Sequence, residues 1–360
     1  MTKEEQRKMD ECYMRRALQL ASCGREHAAP NPMVGAVVVC DGRIVGEGFH
    51  RQCGGPHAEV NAIASVRRPG LLERSTLYVT LEPCAHYGKT PPCAKLIVEK
   101  HIPRVVVGCR DSFEKVDGKG ISMLRQAGVE VTVGVLEKEC QELNRQFFTF
   151  HQKKRPYVTL KWAESADGMV DFLRSTLADG AAAQLSDATN LALVHRLRSR
   201  ADAILVGGRT ALLDNPSLTT RRWPGRSPQR VVIDTHGNLS ADLRLFPARV
   251  YLTATDARPD YERLSGTTVC RIARETSGTL PLHTILSDLA QVGVQSLLVE
   301  GGPAIHQAFL EQRLWDEMRV EHSPRRLGGG VAAALPFGAV VVARENIGGH
   351  VVEILRPGCG

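Results

Sequence analysis

Short apolar runs rich in Val and Ile recur along the whole chain, each followed by a stretch with helical spacing. In the first 150 residues they read AVVVC, TLYVTL, RVVVG and VEVTV, and beyond them YVTLKWA, AILVG, RVVID, RVYL, TVCRI, SLLV and EMRVEH. Runs of four to eight such residues bounded by turn signals read as strands. Helical patterns cover residues 10–23, HAEVNAIASV, CAKLIVEKH after two prolines, and GISMLRQAG, then 187–199, 284–292 and 303–313. Strands that alternate with helices require a layered α/β architecture. One pair breaks the alternation, because MVGAVVVCDGRIVGEGF carries an Asp-Gly turn at 41–42 and reads as a hairpin.

A chain of 360 residues holds about two domains at ~150 residues each. The pattern breaks at FHQKKRPY, where a basic cluster meets Pro156, so the expected domains are 1–150 and 151–360. Neither half repeats the other. With 43% hydrophobic and 24% charged residues the composition is that of an ordinary globular protein. The first twenty residues are charged and lack the apolar core of a secretory signal. No window approaches the ~18 apolar residues of a membrane span. A cytoplasmic protein with no membrane partner is expected. Ten scattered cysteines do not make a disulfide framework in that compartment. The net charge of +7 suits anionic ligands.

The stretch PCAHYGKTPPC places Cys84 and Cys93 nine residues apart, and upstream lies PHAEV with His57 and Glu59. His-x-Glu followed by a distant Pro-Cys and a further Cys follows the logic of zinc deaminases. One imidazole and two thiolates are donors that Zn2+ prefers, and three of them leave the fourth tetrahedral position for water. The metal lowers the pKa of that water towards ~7. Glu59, two residues after a ligand, faces the water without binding the metal and can carry every proton transfer. Cys93 falls in the first turn of a helix, where the N-terminal partial charge favours a thiolate. A closed structural zinc site would need a fourth ligand and would have no use for Glu59. Asn31, in PNPMVG, offers an amide that can read the edge of a base-like ring.

Together PNPMVGAVVV, GEGFH, HAEV, TLEPCAHYGKTPPC and GVEVTVGV resemble the deaminase domain of the bifunctional riboflavin biosynthesis proteins. That family fuses a diaminohydroxyphosphoribosylaminopyrimidine deaminase to a 5-amino-6-(5-phosphoribosylamino)uracil reductase. The resemblance covers essentially the whole chain. It implies a cytidine-deaminase-like layered domain followed by a dihydrofolate-reductase-like domain. Asn31 and His50 would line the pyrimidine pocket, and His86, Lys89 and Thr90, in the segment between the cysteines, would contact the phosphoribosyl group. In the second half LKWAESADG, ADAILVGGRTALLDNPSLTTR and LLVEGGP are similar to the family's reductase signatures. They imply that Glu164, Thr210, Asp214, Gly301 and Gly302 face NADPH. Lys161, Arg198, Leu218, Arg221 and Glu300 would hold a small phosphorylated pyrimidine substrate, and Asp167 also matches. The family further implies self-association.

Two departures stand out. Phe113 occupies the position of a substrate-contacting Asn, and Ala182 and Gln184 replace a Ser and a Trp ahead of the helix bearing Arg198. A deaminase with a degenerate second domain is therefore an alternative, distinguished by ammonia release without NADPH consumption. A nucleic-acid deaminase would call for a basic, aromatic-bearing groove, which 5% aromatic residues and no basic stripe do not suggest. A non-enzymatic zinc module would unfold without metal yet tolerate Glu59→Gln.

Overall fold

The computed structural model describes residues 2–85, 91–111, 118–275 and 278–358. The chain divides into two compact units, Met1–Lys154 and Arg155–Gly360. In the first, α1 (Lys3–Ser22) precedes the hairpin of β1 (Gly35–Cys40) and β2 (Arg43–Phe49). There follow α2 (Ala58–Ala64), β3 (Ser75–Leu81), α3 (Cys93–Glu99), β4 (Arg104–Cys109), α4 (Lys119–Gln126), β5 (Glu130–Val133), α5 (Glu137–Leu143) and α6 (Arg145–Lys153). The hairpin closes at Asp41-Gly42, both with positive φ, and pairs Cys40 with Arg43.

The sheet order is β2-β1-β3-β4-β5. The pairs β3-β4 and β4-β5 are parallel, while β1 is antiparallel to both its neighbours. Alternate residues of one strand enter different cores. Val38, Val79, Val105 and Val107 pack on Ala62, Ile97 and Leu124 of α2, α3 and α4. Val37, Val39, Tyr78 and Val106 pack on Met14 and Ala17 of α1 with Cys140 and Phe148 of α5 and α6. Both faces are covered, which is why these strands read as continuous apolar runs. Each buried Val or Leu contributes about 1.5–3 kcal/mol.

The second unit contains β6 (Tyr157–Glu164), β7 (Met169–Asp171), α7 (Ala188–Arg200), β8 (Ala203–Gly207), α8 (Gly208–Asp214), β9 (Gln229–Asp234), β10 (Arg249–Leu252) and β11 (Thr268–Arg271). It continues with α9 (Leu282–Gln291), β12 (Ser296–Val299), α10 (Pro303–Glu311), β13 (Glu317–His322), β14 (Val331–Ala332), β15 (Ala339–Ile347) and β16 (His350–Pro357). Nine strands run in the order β11-β10-β9-β8-β12-β6-β13-β16-β15, with β7 and β14 forming a separate pair. The strands from β11 to β13 are parallel, and β16 and β15 add an antiparallel hairpin at one edge. One core joins Val158, Leu160, Leu205 and Ile233 to α9 and α10, and the other gathers Ile204, Val206, Val232 and Val250.

Three features lie beyond the sequence expectation. The division falls four residues after the expected boundary, because α6 runs through the basic cluster to Lys153. α5 bears a single buried residue, Cys140, too narrow an apolar stripe to announce a helix. The β15–β16 hairpin lies outside the strands that the sequence predicts, and β15 is exposed along most of its length.

Candidate active sites

In the first unit, the metal-ligating residue types gather at the carboxyl end of β3 and two helix starts. His57 is the N-cap residue of α2, and Glu59 lies in that helix's first turn. Cys84 follows β3, and Cys93 is the first residue of α3, with Pro92 before it. His57 Nδ1 lies 3.6 Å from Cys84 Sγ and 3.3 Å from Cys93 Sγ. One ligand atom from each residue falls within 4.8 Å of the others, and among the described residues no other His, Cys, Asp or Glu group does this. One borderline nitrogen and two soft sulfurs, with no fourth side chain among the described residues, fit a zinc ion that keeps a coordination position open.

Glu59 is buried beside this cluster, and burial pushes its carboxyl up to about 7. The Cys84 thiol is held down to about 4, first by its hydrogen bond with Cys93 and then by His57 and the Cys93 backbone N–H. That N–H donates to Cys84 Sγ at 3.3 Å. The start of α3 therefore serves Cys84, whereas the sequence reading assigned its effect to Cys93. The Cys93 thiol is pushed up by sharing its proton with Cys84 and by burial.

Asn31 and His50 stand next to the cluster. Asn31 Nδ2 lies 3.1 Å from His50 Nε2, and His50 Nδ1 lies 3.1 Å from Pro56 O. The amide nitrogen and the carbonyl oxygen assign the proton to Nδ1, and burial lowers the pKa of His50, so the ring is neutral. The His50 and His57 rings meet edge to face at 5.6 Å. Two residues that the sequence reading passed over hold this arrangement. Asn144 clamps Met33 reciprocally, accepting from its N–H and donating to its carbonyl, each at 2.8 Å. Glu82 accepts from Gly118, Gly120 and Ile121 N–H at the start of α4. His86, Lys89, Thr90 and Phe113 lie outside the described residues.

In the second unit the expected residues also stand near carboxyl ends of parallel strands, where open α/β sheets bind ligands. Arg198 on α7 makes a two-pronged ion pair with Glu300 at 2.9 and 2.6 Å, and donates to Thr219 O at 3.2 Å. Lys161 is half-buried, its pKa lowered by desolvation against the pull of Glu300 and Glu321, and its Nζ lies 4.0 Å from Glu321. Leu218 is buried with φ +52°, and Arg221 Nη1 donates to Thr219 Oγ1 at 3.0 Å. Gly302 is the N-cap residue of α10 at φ +72°, and a Cβ there would lie 2.9 Å from Thr210 Oγ1. The glycine thus lets the Thr210 hydroxyl approach the start of α10 closely, and backbone N–H groups at a helix start suit a cofactor phosphate. Gly301 precedes it, after β12.

Other expected residues are engaged within the protein. The Glu164 carboxylate accepts from Trp162 Nε1 at 2.9 Å and lies 3.0 Å from His322 Nδ1. Asp214 is bound by Arg174, a buried residue that also holds Asp171 and Leu213 O. Arg174 lies on the stretch between β7 and α7 that also carries Ala182 and Gln184, so that stretch is tied to α8. Asp167 accepts from Ser165 Oγ and from Leu327 and Gly328 N–H, which pins the loop after β13. Of the two replacements, Gln184 is exposed and Ala182 half-buried.

Family comparisons fall on both units. The model for the RibD C-terminal domain matches residues 156–342, and that for the cytidine and deoxycytidylate deaminase zinc-binding region matches residues 7–109. The chain is 37% identical over 327 residues to the riboflavin biosynthesis protein RibD of Aquifex aeolicus, covering 91% of this chain and 90% of that protein. A solved structure from Thermotoga maritima, described as a diaminohydroxyphosphoribosylaminopyrimidine deaminase/5-amino-6-(5-phosphoribosylamino)uracil reductase, matches with TM-score 0.84 and 38% identity over 98% of this chain and 99% of that one. Acinetobacter baumannii RibD matches with TM-score 0.84 and 31% identity over 98% of this chain and 100% of that one.

Proposed function

The chain belongs to the RibD family of bifunctional deaminase and reductase enzymes of riboflavin biosynthesis, with a zinc-binding deaminase domain and an NADPH-dependent reductase domain, and we propose which of its residues do the work. The deaminase substrate is 2,5-diamino-6-(5-phosphoribosylamino)pyrimidin-4(3H)-one. His57, Cys84 and Cys93 hold the zinc, which when bound supplies the Lewis acidity that lets water attack at neutral pH. Glu59 takes the proton of the attacking water, passes it to a ring nitrogen, and protonates the departing amine. Burial raises the Glu59 carboxyl above the usual carboxylate range, which suits a group that both takes and returns protons. Asn31 and neutral His50 orient the pyrimidine, with His86, Lys89 and Thr90 contacting the phosphoribosyl group. Three nitrogen and sulfur donors within 4.8 Å of one another, beside a buried Glu59, carry this reading.

In the second domain Lys161, Arg198, Leu218, Arg221 and Glu300 hold the deaminated product, and Glu164, Thr210, Asp214, Gly301 and Gly302 face NADPH. NADPH held there would supply hydride to C1 of the sugar, whose bond to the ring oxygen breaks while that oxygen takes a proton, leaving an open ribityl chain. The Arg198–Glu300 pair supports this role, since a half-buried, two-pronged hydrogen-bonded ion pair keeps its donors aimed. No helix among the described residues is long and apolar enough to cross a membrane. We assign the protein to the cytoplasm, with no nucleic-acid partner. It self-associates through β15, an edge strand that exposes Val340, Val341 and Val342.

The test is Glu59→Gln in zinc-loaded protein. Zinc content stays at the parent level and ammonia release falls by at least about a hundredfold, the lower end of what one acid–base group contributes. Parent-level ammonia release by that variant would exclude Glu59 as the proton carrier.

A further inference from the structure

The backbone N–H of Arg221 donates to His195 Nδ1 at 2.8 Å. An amide N–H can only donate, so Nδ1 carries no proton and the neutral ring holds its proton on Nε2. His195 is 3% exposed and lies on α7, one turn before Arg198. Arg198 itself donates to Thr219 O, so α7 grips the segment from Leu218 to Arg221 at two points. That segment needs a grip, because Leu218 has the left-handed backbone that L residues rarely adopt unaided. Arg221 Nη1 then reaches back to Ser217 Oγ and Thr219 Oγ1. Burial holds the pKa of His195 down to about 4, and Arg198 and Arg221 add to the effect, so the accepting form prevails at neutral pH.

We infer that His195 is a positioning residue for the reductase substrate: its neutral ring accepts the Arg221 N–H and so fixes the Arg198–Arg221 cationic corner that receives the organic phosphate. The inference rests on the reading of Arg221 as a phosphate-holding residue. His195 touches no reacting atom in this account, so its removal affects binding and leaves the chemical step alone.

The experiment measures steady-state reductase kinetics on the full chain with the deaminated phosphoriboside and NADPH, and inhibition by ribose 5-phosphate. His195→Phe keeps a ring but offers no acceptor. It is expected to raise KM and the ribose 5-phosphate Ki together, by about tenfold, with kcat within about twofold. Tenfold corresponds to ~1.4 kcal/mol, within the range for an orphaned buried N–H. His195→Asn places a carbonyl oxygen near the Nδ1 position and is expected to restore both constants to within about threefold. His195→Leu repeats the test should the Phe variant fail to fold. Parent-like KM and Ki in the variants lacking an acceptor, or an Asn variant as impaired as they are, would overturn the inference. Arg221→Ala separates the two layers. If it raises KM while the His195 variants do not, only the role of His195 fails; if it leaves KM unchanged, the phosphate reading of Arg221 fails and takes this inference with it.

Discussion

Replacing Gly120 by Ala tests whether the metal loop depends on α4. Gly120 is the second residue of α4, and its N–H donates to Glu82 Oε1 at 2.9 Å. A Cβ on residue 120 would lie 1.8 Å from Pro83 O. An ordinary carbon–oxygen contact is about 3.3 Å, so about 1.5 Å of displacement is required. The obstacle is backbone, and the next residue is Cys84. If the Pro83 carbonyl yields, a metal ligand moves by several times the ~0.2 Å tolerance of a coordination bond. If α4 yields, the three N–H groups held by Glu82 lose their acceptor, at about 1–3 kcal/mol for each one left buried and unpaired. Either route weakens zinc binding by about ten- to a hundredfold, since ~1.4 kcal/mol is tenfold. The assay is competition for zinc against a chromophoric chelator, with ammonia release measured alongside and NADPH oxidation on supplied deaminated substrate as the internal control. Parent-level zinc affinity and ammonia release in folded Gly120→Ala would refute the coupling of α4 to Cys84.

Two further outcomes are expected. Hydrogen bonds from Ser165 Oγ and from Leu327 and Gly328 N–H lower the Asp167 carboxyl from 3.8 to about 2, so its contribution to stability is present above pH 3.8 and is lost as pH falls through 2. Urea unfolding midpoints of the parent and Asp167→Asn should therefore differ near pH 6 and converge towards pH 2, and a constant difference would contradict that origin. Val341, 46% exposed on edge strand β15, should carry self-association, so Val341→Lys should shift the protein towards monomer in sedimentation; an unchanged mass would remove β15 as the contact.

Much of the fold was legible because the apolar runs are short and buried on both faces. Val37 and Val38 serve opposite cores, and no soluble arrangement other than a covered sheet accommodates both. β15 escaped because its exposed side chains obey no burial pattern, and its pairing with β16 is what makes it a strand. The gathering of His57, Cys84 and Cys93 was legible because coordination chemistry restricts residue type and because each sits at a helix start or strand end. Its supports were not. Asn144 grips Met33 from 111 positions away, and Glu82 caps a helix that begins 37 residues later. Ordinary Asn and Glu residues acquire those roles only through tertiary contact. His195 is similar, since helix periodicity says nothing of which loop will pass its ring.

The central claim is that one chain carries two successive activities, and the most direct measurement follows ammonia and NADPH together on zinc-loaded protein supplied with the diaminopyrimidinone phosphoriboside. The account predicts that ammonia appears first and that NADPH oxidation then reaches the same total, one for one. Ammonia without NADPH oxidation would contradict it, and would mean that the segment bearing Ala182 and Gln184 has cost the second domain its chemistry.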